Sequence, residues 1–350
     1  MSLYKGEKLT VEIFGESHAE KIGALVSGMP ETTVDFDRLN NFLERRKSNG
    51  FFSTPRREGD VPVFEGITGN TVKGEYSFYI KNENVKSSDY NALYGKPRPS
   101  HADYAWHLKD GVLDFKGGGR FSGRLTAPLC VVGGICLQHL EKYGIKIAAF
   151  VSEIGGVTGK SYKTGDISVD EIIKDRDGFP SLSDKEKMIE KIARAKEEGD
   201  SVGGKIECVI SGLKGGFGDN LFCGLEGKIS NLLFSVPAVK GVEFGLGFGF
   251  CKKNGSRVND ELYYDDDGKV KFCTNNSGGI NGGISNGADI TFSVAIRPTP
   301  SISVEQDTID LVNKKNVKIK ISGRHDACIV PRAVPCIESA AAIALTDLLG

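Results

Sequence analysis

Three of the five histidines lie in short polar segments that glycine or proline interrupts, and such turns present side chains to a ligand. His18 ends the run FGESH, His101 lies within RPSHADY, and His325 stands beside Asp326 in GRHD. An imidazole changes its charge near neutral pH, so it can hold or transfer a proton during catalysis. For each segment taken alone, a histidine that is only hydrogen-bonded within its loop stays an equal alternative.

Arginines accompany these histidines. Arg120 and Arg124 lie in GGGRFSGR, where glycines clear space and leave backbone N–H groups free beside two guanidinium groups. That combination suits a carboxylate or a phosphate. The 45 Lys and Arg residues are balanced by 46 Asp and Glu, for a net charge of −1. The arginines therefore predict a local pocket for a small polyanion, and the charge balance argues against nucleic acid or an anionic membrane as partner.

A second glycine-rich segment, residues 278–287 (GGINGGISNG), leads into a predicted strand at residues 290–296. A dinucleotide-binding fingerprint follows a strand and opens a helix, so the Rossmann interpretation fails. The segment also lacks the Gly-Lys-Ser/Thr ending of a P-loop. Two interpretations stay open, a set of tight turns and a loop that approaches a phosphate or a flat cofactor.

These segments must be positioned by regular elements. Apolar patterning predicts helices at residues 36–47, 128–143, 183–198 and 331–349, and the third opens with the capping-box pattern Ser183-x-x-Glu186. It predicts strands at residues 9–14, 61–67, 76–80, 145–154, 205–210, 242–250, 290–296 and 317–321. Their irregular alternation favours an α+β fold with antiparallel pairing. No repeat or linker interrupts the chain, which predicts one domain over residues 1–350.

The cysteines and the lengths of the apolar stretches indicate the cellular compartment in which the protein functions. The eight cysteines form no C-x-x-C pair and show no Cys/His spacing suited to zinc, so we expect buried, reduced thiols and no metal site. The chain opens without a signal-like apolar core, and no apolar stretch is long enough to span a bilayer. These features predict a cytoplasmic protein.

Taken together, seven segments resemble the chorismate synthase family, in the family's order and over nearly the whole chain. They are FGESH (14–18), RPSHADY (98–104), GGGRFSGRLTA (117–127), AVKGVE (238–243), GGINGGISNG (278–287), RPT (297–299) and GRHDACIVPRA (323–333). The resemblance implies a β-α-β sandwich, with central helices between two four-stranded antiparallel sheets. It also implies a homotetramer.

The resemblance implies a lyase reaction, the anti-1,4-elimination of phosphate from 5-enolpyruvylshikimate 3-phosphate to give chorismate. This is the last common step of aromatic amino-acid biosynthesis in the shikimate pathway, and it needs reduced FMN without net redox change. By the same resemblance, His18 protonates the departing phosphate and His101 protonates the reduced flavin near N1. Asp326 assists proton removal at flavin N5, while Ser17 and Ser122 relay protons to the two histidines.

The resemblance also implies binding residues. The substrate anions are assigned to Arg45, Arg46, Arg57, Arg124 and Arg332. FMN is assigned to Arg120, Phe121, Ser122, Ala238, Gly282, Arg297, Pro298, Thr299, Pro300, Ser301 and Arg324. NADPH enters only as an upstream reductant, because no nicotinamide fingerprint is visible. Phe121, Pro237 and Pro300 depart from the family's usual residues, which predicts retained activity with altered flavin affinity.

Two other functions stay open at this point. A flavin-dependent reductase would use the same pocket for net hydride transfer. An anion-binding or RNA-binding module would use it without chemistry, although the near-neutral charge disfavours RNA.

Overall fold

The computed structural model describes residues 2–47, 59–82, 93–115, 117–164, 167–174, 178–321 and 326–350. Sixteen strands lie in these ranges: β1 (Ser2–Lys5), β2 (Thr10–Phe14), β3 (Lys21–Thr33), β4 (Val63–Glu65), β5 (Thr71–Lys81), β6 (Lys146–Ile154), β7 (Val157–Thr158), β8 (Gly204–Ser211), β9 (Val239–Phe244), β10 (Leu262–Tyr264), β11 (Val270–Phe272), β12 (Ile280–Asn281), β13 (Ile284–Ser285), β14 (Ile290–Ile296), β15 (Gln306–Asp310) and β16 (Lys315–Ile319). The helices are α1 (Phe36–Glu44), α2 (Asp103–Asp110), α3 (Thr126–Glu141), α4 (Val169–Lys174), α5 (Lys185–Glu197), α6 (Leu225–Ser235) and α7 (Val330–Leu349).

Two antiparallel sheets form the outer layers of the fold. The first has the strand order β1-β2-β3-β5-β4, and the second has the order β7-β6-β8-β14-β9. Each main sheet therefore has five strands, and the resemblance was wrong in expecting four. The shortest strand of each lies at one edge, β4 with three residues and β7 with two, so each pairs with a single neighbour.

Helices α3 and α7 form the layer between the sheets, which confirms the predicted α+β sandwich. Helix α3 packs on β3 of the first sheet, and α7 packs on β6 and β8 of the second. The two helices come very close, because a Cβ added to Gly133 of α3 would lie 2.1 Å from the Cβ of Ser339 in α7. One hydrophobic core runs through these layers, from Leu9 to Leu345. Within the described ranges, no helix is both long and apolar enough to cross a membrane.

Two local predictions of secondary structure were wrong. Strand β9 ends at Phe244, and Gly247–Lys252 forms a 3-10 helical turn instead of continuing the strand. Gly245 and Gly247 there adopt φ of +53° and +51°, which a strand cannot accommodate. Helix α5 begins after Asp184 rather than Ser183, whose hydroxyl contacts Asp184 and the Lys160 N–H instead of capping the helix.

The glycine-rich segment 278–287 forms a β-hairpin. Strands β12 and β13 pair across Gly282 and Gly283, whose φ values of +61° and +85° suit a two-residue hairpin turn. The segment therefore does make a tight turn, and this geometry is compatible with both interpretations. A contact between this hairpin and a cofactor stays a prediction.

The cysteines divide into two groups. Five are buried, as expected: Cys130, Cys136, Cys208, Cys328 and Cys336. The expectation was wrong for the other three, Cys223, Cys251 and Cys273, which are exposed. All eight are free thiols.

Candidate active site

His18 lies in the turn between β2 and β3, where the chain reverses direction between two neighbouring strands of the first sheet. The hydroxyl of Ser17, which is buried, shares a hydrogen bond of 2.9 Å with His18 Nδ1. The Ser17 N–H donates to the carbonyl oxygen of Gly119 at 3.2 Å. The turn is therefore fixed against the glycine-rich segment that the sequence places a hundred residues later.

Gly117 explains part of that glycine run. Its φ is +60°, and an added Cβ would lie 2.4 Å from His18 Cε1 and 2.9 Å from Ser17 Oγ. A side chain at this position would collide with both groups and would also strain the backbone. Glycine here lets the main chain approach the imidazole directly.

His101 lies just before α2, in a cluster of buried charges. Its Nδ1 is 2.5 Å from Asp103 Oδ1. Arg98 donates to both oxygens of the same carboxylate, from Nε at 2.7 Å and from Nη2 at 2.8 Å. The Asp103 and Arg98 side chains are 2% and 4% exposed, so solvent does not compete for these bonds.

The charges around His101 determine its protonation. Burial acts to raise the pKa of Asp103, but hydrogen bonds from Arg98 and His101 outweigh it and lower that pKa to about 2. Burial, together with the charges of Arg98 and Arg297, lowers the pKa of His101, and the bond to Asp103 opposes this only in part. An ionised carboxylate accepts hydrogen bonds only, so we assign the proton to Nδ1, which leaves Nε2 as an acceptor.

The two histidine clusters meet at Gly117. Arg98 Nη2 donates to the Gly117 carbonyl oxygen at 2.5 Å, while the α-carbon side of the same glycine faces His18. The His101 cluster and the His18 turn therefore contact one residue. The sequence linked these segments only by their residue types and by the family resemblance, without any contact between them.

An arginine cluster lies beside the histidines. Both oxygens of the buried Asp60 carboxylate are used, one by Arg46 at 2.5 Å and the other by Arg124. Arg332 Nε donates to the Arg46 carbonyl oxygen at 3.1 Å, and Arg332 Nη1 pairs with Asp326 at 2.7 Å. Three of the predicted substrate arginines and the predicted catalytic Asp326 thus form one connected group.

Asn82 connects this arginine cluster to the His18 turn. Its Nδ2 donates to the Ala19 carbonyl oxygen at 2.7 Å, and its Oδ1 accepts from Arg124 Nε at 2.9 Å. The Ser122 hydroxyl accepts from the Arg124 N–H at 3.2 Å and so begins the 3-10 turn that carries this arginine. The arginine side chains and the histidine turn are therefore held in one frame.

Arg45 has a different environment. Its Nη1 and Nη2 donate to the two oxygens of Glu338 at 2.6 and 3.1 Å. Glu338 is fully buried in α7 and also accepts from the Ala149 N–H. The structure thus uses Arg45 to join α1, α7 and the second sheet, and its role in substrate binding stays a prediction. Arg57, Arg324 and His325 lie outside the described residues.

The predicted flavin residues fall into two groups. In the first, the Arg120 guanidinium lies 5.7 Å from the Trp106 ring and 5.1 Å from the Phe121 ring, and it pairs with Asp110. Phe121 contacts Trp106 edge to face at 5.5 Å, and it is 41% exposed. This group offers an aromatic surface with a cation over it.

The second group follows β14. Arg297 is partly buried, which lowers its pKa, and no acceptor in the described part of the chain engages its side chain. The Arg297 N–H donates to the Ala238 carbonyl oxygen at 3.0 Å, and Ala238 has an unusual φ of +74°. Ser301 Oγ accepts from Arg98 at 3.5 Å, and Pro298 and Pro300 complete the segment. These residues therefore lie with His101.

Gly282 is placed differently. Its hairpin packs on residues 217–219 and against Gly224 and Leu225. None of the contacts given by the described residues joins Gly282 to either histidine. Its flavin role stays a prediction.

Three functional candidates were missed from the sequence. Asp103 lies two residues after His101 in a segment already singled out, so its carboxylate was a visible partner. Asp60 and Asn82 lie in or beside loops with no distinctive spacing, and nothing local marked them. Only the fold brings them to the arginines.

Comparison with known proteins then tests the resemblance. A family model described as chorismate synthase matches residues 9–349. The chain belongs to the chorismate synthase family. The chorismate synthase of Pyrococcus abyssi is 43% identical over 350 residues, covering 99% of this chain and 97% of that protein. That of Dehalococcoides mccartyi is 40% identical over 353 residues, covering 99% and 96%.

A solved structure agrees with these sequence relatives. A crystal structure of chorismate synthase superposes with a TM-score of 0.75 at 26% identity, covering 99% of this chain and 92% of that one. The predicted family, fold and enzyme class are therefore confirmed: the chain is a lyase of aromatic amino-acid biosynthesis that acts on a small molecule.

Proposed function

We propose that this chorismate synthase family enzyme eliminates phosphate from 5-enolpyruvylshikimate 3-phosphate by an anti-1,4 route, giving chorismate, with reduced FMN and no net redox change. One observation carries the proposal. The contacts at Gly117 and Asn82 join the His18 turn, the His101 cluster and the arginine cluster into one site. A reaction that expels phosphate needs proton donors and anion-binding groups together, and this site provides both.

The arginine cluster would bind the substrate, which carries two carboxylates and a phosphate. Arg46 and Arg124 have side chains only 6% exposed, so their attraction for an anion is little screened by water. Arg332, partly exposed beside them, would complete the group. Guanidinium groups bind phosphate and carboxylate with paired hydrogen bonds, which fixes the orientation of the ligand as well as its charge.

His18 would act as the general acid toward the departing phosphate. The Ser17 hydroxyl bonded to its Nδ1 can either donate or accept, so it can support both charge states of the ring. A proton held at the ring nitrogen opposite Nδ1 would then pass to the leaving oxygen. Such general acid catalysis contributes about 10²- to 10⁴-fold.

The residues near His101 fit a phosphorylated flat cofactor. Arg297 is a partly buried cation that no described acceptor engages, and the buried Thr299 Oγ1 has no partner in the described part of the chain. When bound, reduced FMN supplies transient electron density that helps to expel phosphate. His101 would hold or give a proton at Nε2 while Asp103 keeps Nδ1–H in place. By the family resemblance, Asp326, which is paired with Arg332, would assist proton removal at flavin N5, and Ser122, beside Arg124, would relay a proton to a histidine.

Further parts of this proposal rest on the family resemblance. They are a homotetramer, a cytoplasmic location, NADPH only as an upstream reductant, and FMN contacts from Gly282, Pro298, Pro300 and Arg324. We also propose a single domain, because one hydrophobic core extends from Leu9 to Leu345.

An anaerobic assay tests the reaction. Purified protein, photoreduced FMN and 5-enolpyruvylshikimate 3-phosphate should give chorismate and phosphate in equal amounts, with the flavin still reduced at the end. Absence of both products would overturn the proposal. Oxidation of one flavin per turnover would favour the flavin-dependent reductase instead.

Flavin binding has its own test. Arg297→Gln should raise the Kd for FMN about tenfold or more, because a charged hydrogen bond to phosphate is lost. Arg257→Gln, at an exposed arginine in a separate turn, is the matched control and should leave the Kd unchanged. Equal effects of the two substitutions would contradict the assignment of Arg297.

A further inference from the structure

We propose that Asp60 is a positioning residue of the substrate site, whose carboxylate holds Arg46 and Arg124 side by side in the orientation that binds the substrate anion. The inference rests on the proposed function, because it takes these two arginines as the groups that bind substrate. It concerns a residue to which neither the sequence pattern nor the family resemblance gave a role.

The geometry of the carboxylate is the first support. Asp60 Oδ2 accepts from Arg46 Nη2 at 2.5 Å, and Oδ1 accepts from Arg124 Nη1. The Asp60 side chain is only 2% exposed. One carboxylate is therefore shared by two guanidinium groups from separate parts of the fold, the end of α1 and the turn before α3.

Each arginine is also held at a second point. Arg46 Nη1 donates to Thr126 Oγ1 at 3.2 Å, and Arg124 Nε donates to Asn82 Oδ1 at 2.9 Å. Two fixed points define the plane of a guanidinium group, so its other N–H groups have set directions. In the described structure, Arg46 Nε is buried and has no protein partner. The pair is thus ordered before any ligand arrives.

The local charges make the role testable, because two opposite effects are expected. Burial acts to raise the pKa of Asp60, but the Arg46 and Arg124 charges outweigh it and keep that pKa below its ordinary value. Asp60 is therefore an anion at neutral pH. Removing its charge makes the site more positive, which by itself would strengthen the binding of an anion. If the carboxylate mainly orients the arginines, removing it weakens binding instead.

Asparagine is a suitable replacement for this test. Asp60 adopts φ of +48°, a left-handed conformation that asparagine tolerates as well as aspartate does. Asp60→Asn keeps the size and the backbone, but its amide has an oxygen in place of only one of the two carboxylate oxygens, and its NH2 group faces the other guanidinium group as a second donor. The substitution therefore removes the shared acceptor with little other change.

Asp347 provides a matched control. It is another buried carboxylate, and it accepts the backbone N–H groups of Lys8 at 2.8 Å and Leu9 at 2.7 Å. Among the described residues, its hydrogen-bond partners are Tyr4, Glu7, Lys8 and Leu9, and none of these is a candidate site residue. Asp347→Asn should therefore weaken the fold without altering the substrate site.

The experiment compares both variants with the wild type, at a temperature where all three are folded. Asp60→Asn should raise KM for 5-enolpyruvylshikimate 3-phosphate about tenfold or more and change kcat much less, because a charged bond that orients both arginines is lost. Calorimetric binding of inorganic phosphate should weaken in parallel. Asp347→Asn should keep the wild-type KM and phosphate affinity.

Several results would overturn this role of Asp60. They are an unchanged or lower KM in Asp60→Asn, an equal rise of KM in Asp347→Asn, or the absence of phosphate binding by the wild type. Failure of the wild type to form chorismate would instead contradict the proposed function. The phosphate titration needs no turnover, so it would still decide whether Asp60 orients the arginines.

Discussion

His18 and His101 stand in equivalent-looking sequence segments, but the fold gives them different chemical surroundings. His101 shares its Nδ1 proton with the ionised Asp103, and Arg98 and Arg297 add positive charge nearby. The Nδ1 of His18 faces the neutral hydroxyl of Ser17. The first arrangement fixes one tautomer, whereas the second can adapt to either protonation state.

The difference suggests separate tasks for the two rings. The pKa of His101 is lowered, so its imidazole is neutral at pH 7 and a proton placed on Nε2 is readily given up. The Ser17 hydroxyl can either donate to or accept from His18 Nδ1, so it can stay hydrogen-bonded when the charge of the ring changes. A general acid requires such support in both of its charge states. Substitutions that act on one ring alone can test this division.

The largest effect is expected from His18→Ala. Loss of the proposed general acid should lower kcat about 10²- to 10⁴-fold, while substrate Kd changes little because the proposed substrate arginines are intact. Single-turnover kinetics and direct binding measure the two quantities. A comparable fall in affinity would show that His18 mainly binds the substrate.

Gly117→Ala should act on His18 indirectly. The new Cβ would lie 2.4 Å from the ring, and a displacement of about 1 Å can cost about 10²-fold in kcat. Gly111→Ala is the matched control, because Gly111 has a similar φ of +70° but open space around its Cβ direction. Both variants carry the same kind of backbone strain, Gly117→Ala should lose more stability because its Cβ also collides with His18, and only Gly117→Ala should lose kcat. Equal losses of kcat would mean that backbone strain alone is responsible.

Asp103→Asn should affect His101 and leave His18 unchanged. Without the carboxylate the Nδ1–H tautomer is no longer favoured, and we expect activity to fall about 10- to 100-fold. The pH profile should move as well, since a nearby negative charge is lost. An unaltered profile would show that Asp103 only supports the fold.

The smallest effect concerns stability against pH. The pKa of Asp103 is about 2 in the folded protein and near 4 in the unfolded chain. Its contribution to the free energy of unfolding is therefore complete above pH 5 and is lost as the pH falls. By pH 3, the wild type should lose about 1 kcal/mol of its stability advantage over Asp103→Asn. Denaturant titrations at pH 5 and pH 3 measure this difference. A constant advantage would contradict the low pKa.

Strong local patterns were read correctly from the sequence. Strand β14 occupies residues 290–296 as its apolar run predicts, and α7 follows its alanine-rich segment. Strand β3 and helix α6 were missed, although they are 13 and 11 residues long. Glycine and proline interrupt the apolar pattern of β3, and its pairing with β2 and β5 overrides that local signal.

The candidate active site likewise has features that the sequence predicts and features that depend on the fold. The sequence by itself determined which side chains can do chemistry, because histidines, arginines and glycines stand in short segments with recognisable order. Only the tertiary structure decided which of them are neighbours and what partners they have. Arg45 pairs with Glu338 and Arg46 with Asp60, although the two arginines are adjacent in the chain. Hydrogen bonds and ion pairs depend on distances of a few ångströms between segments far apart in sequence, and no local pattern encodes such distances.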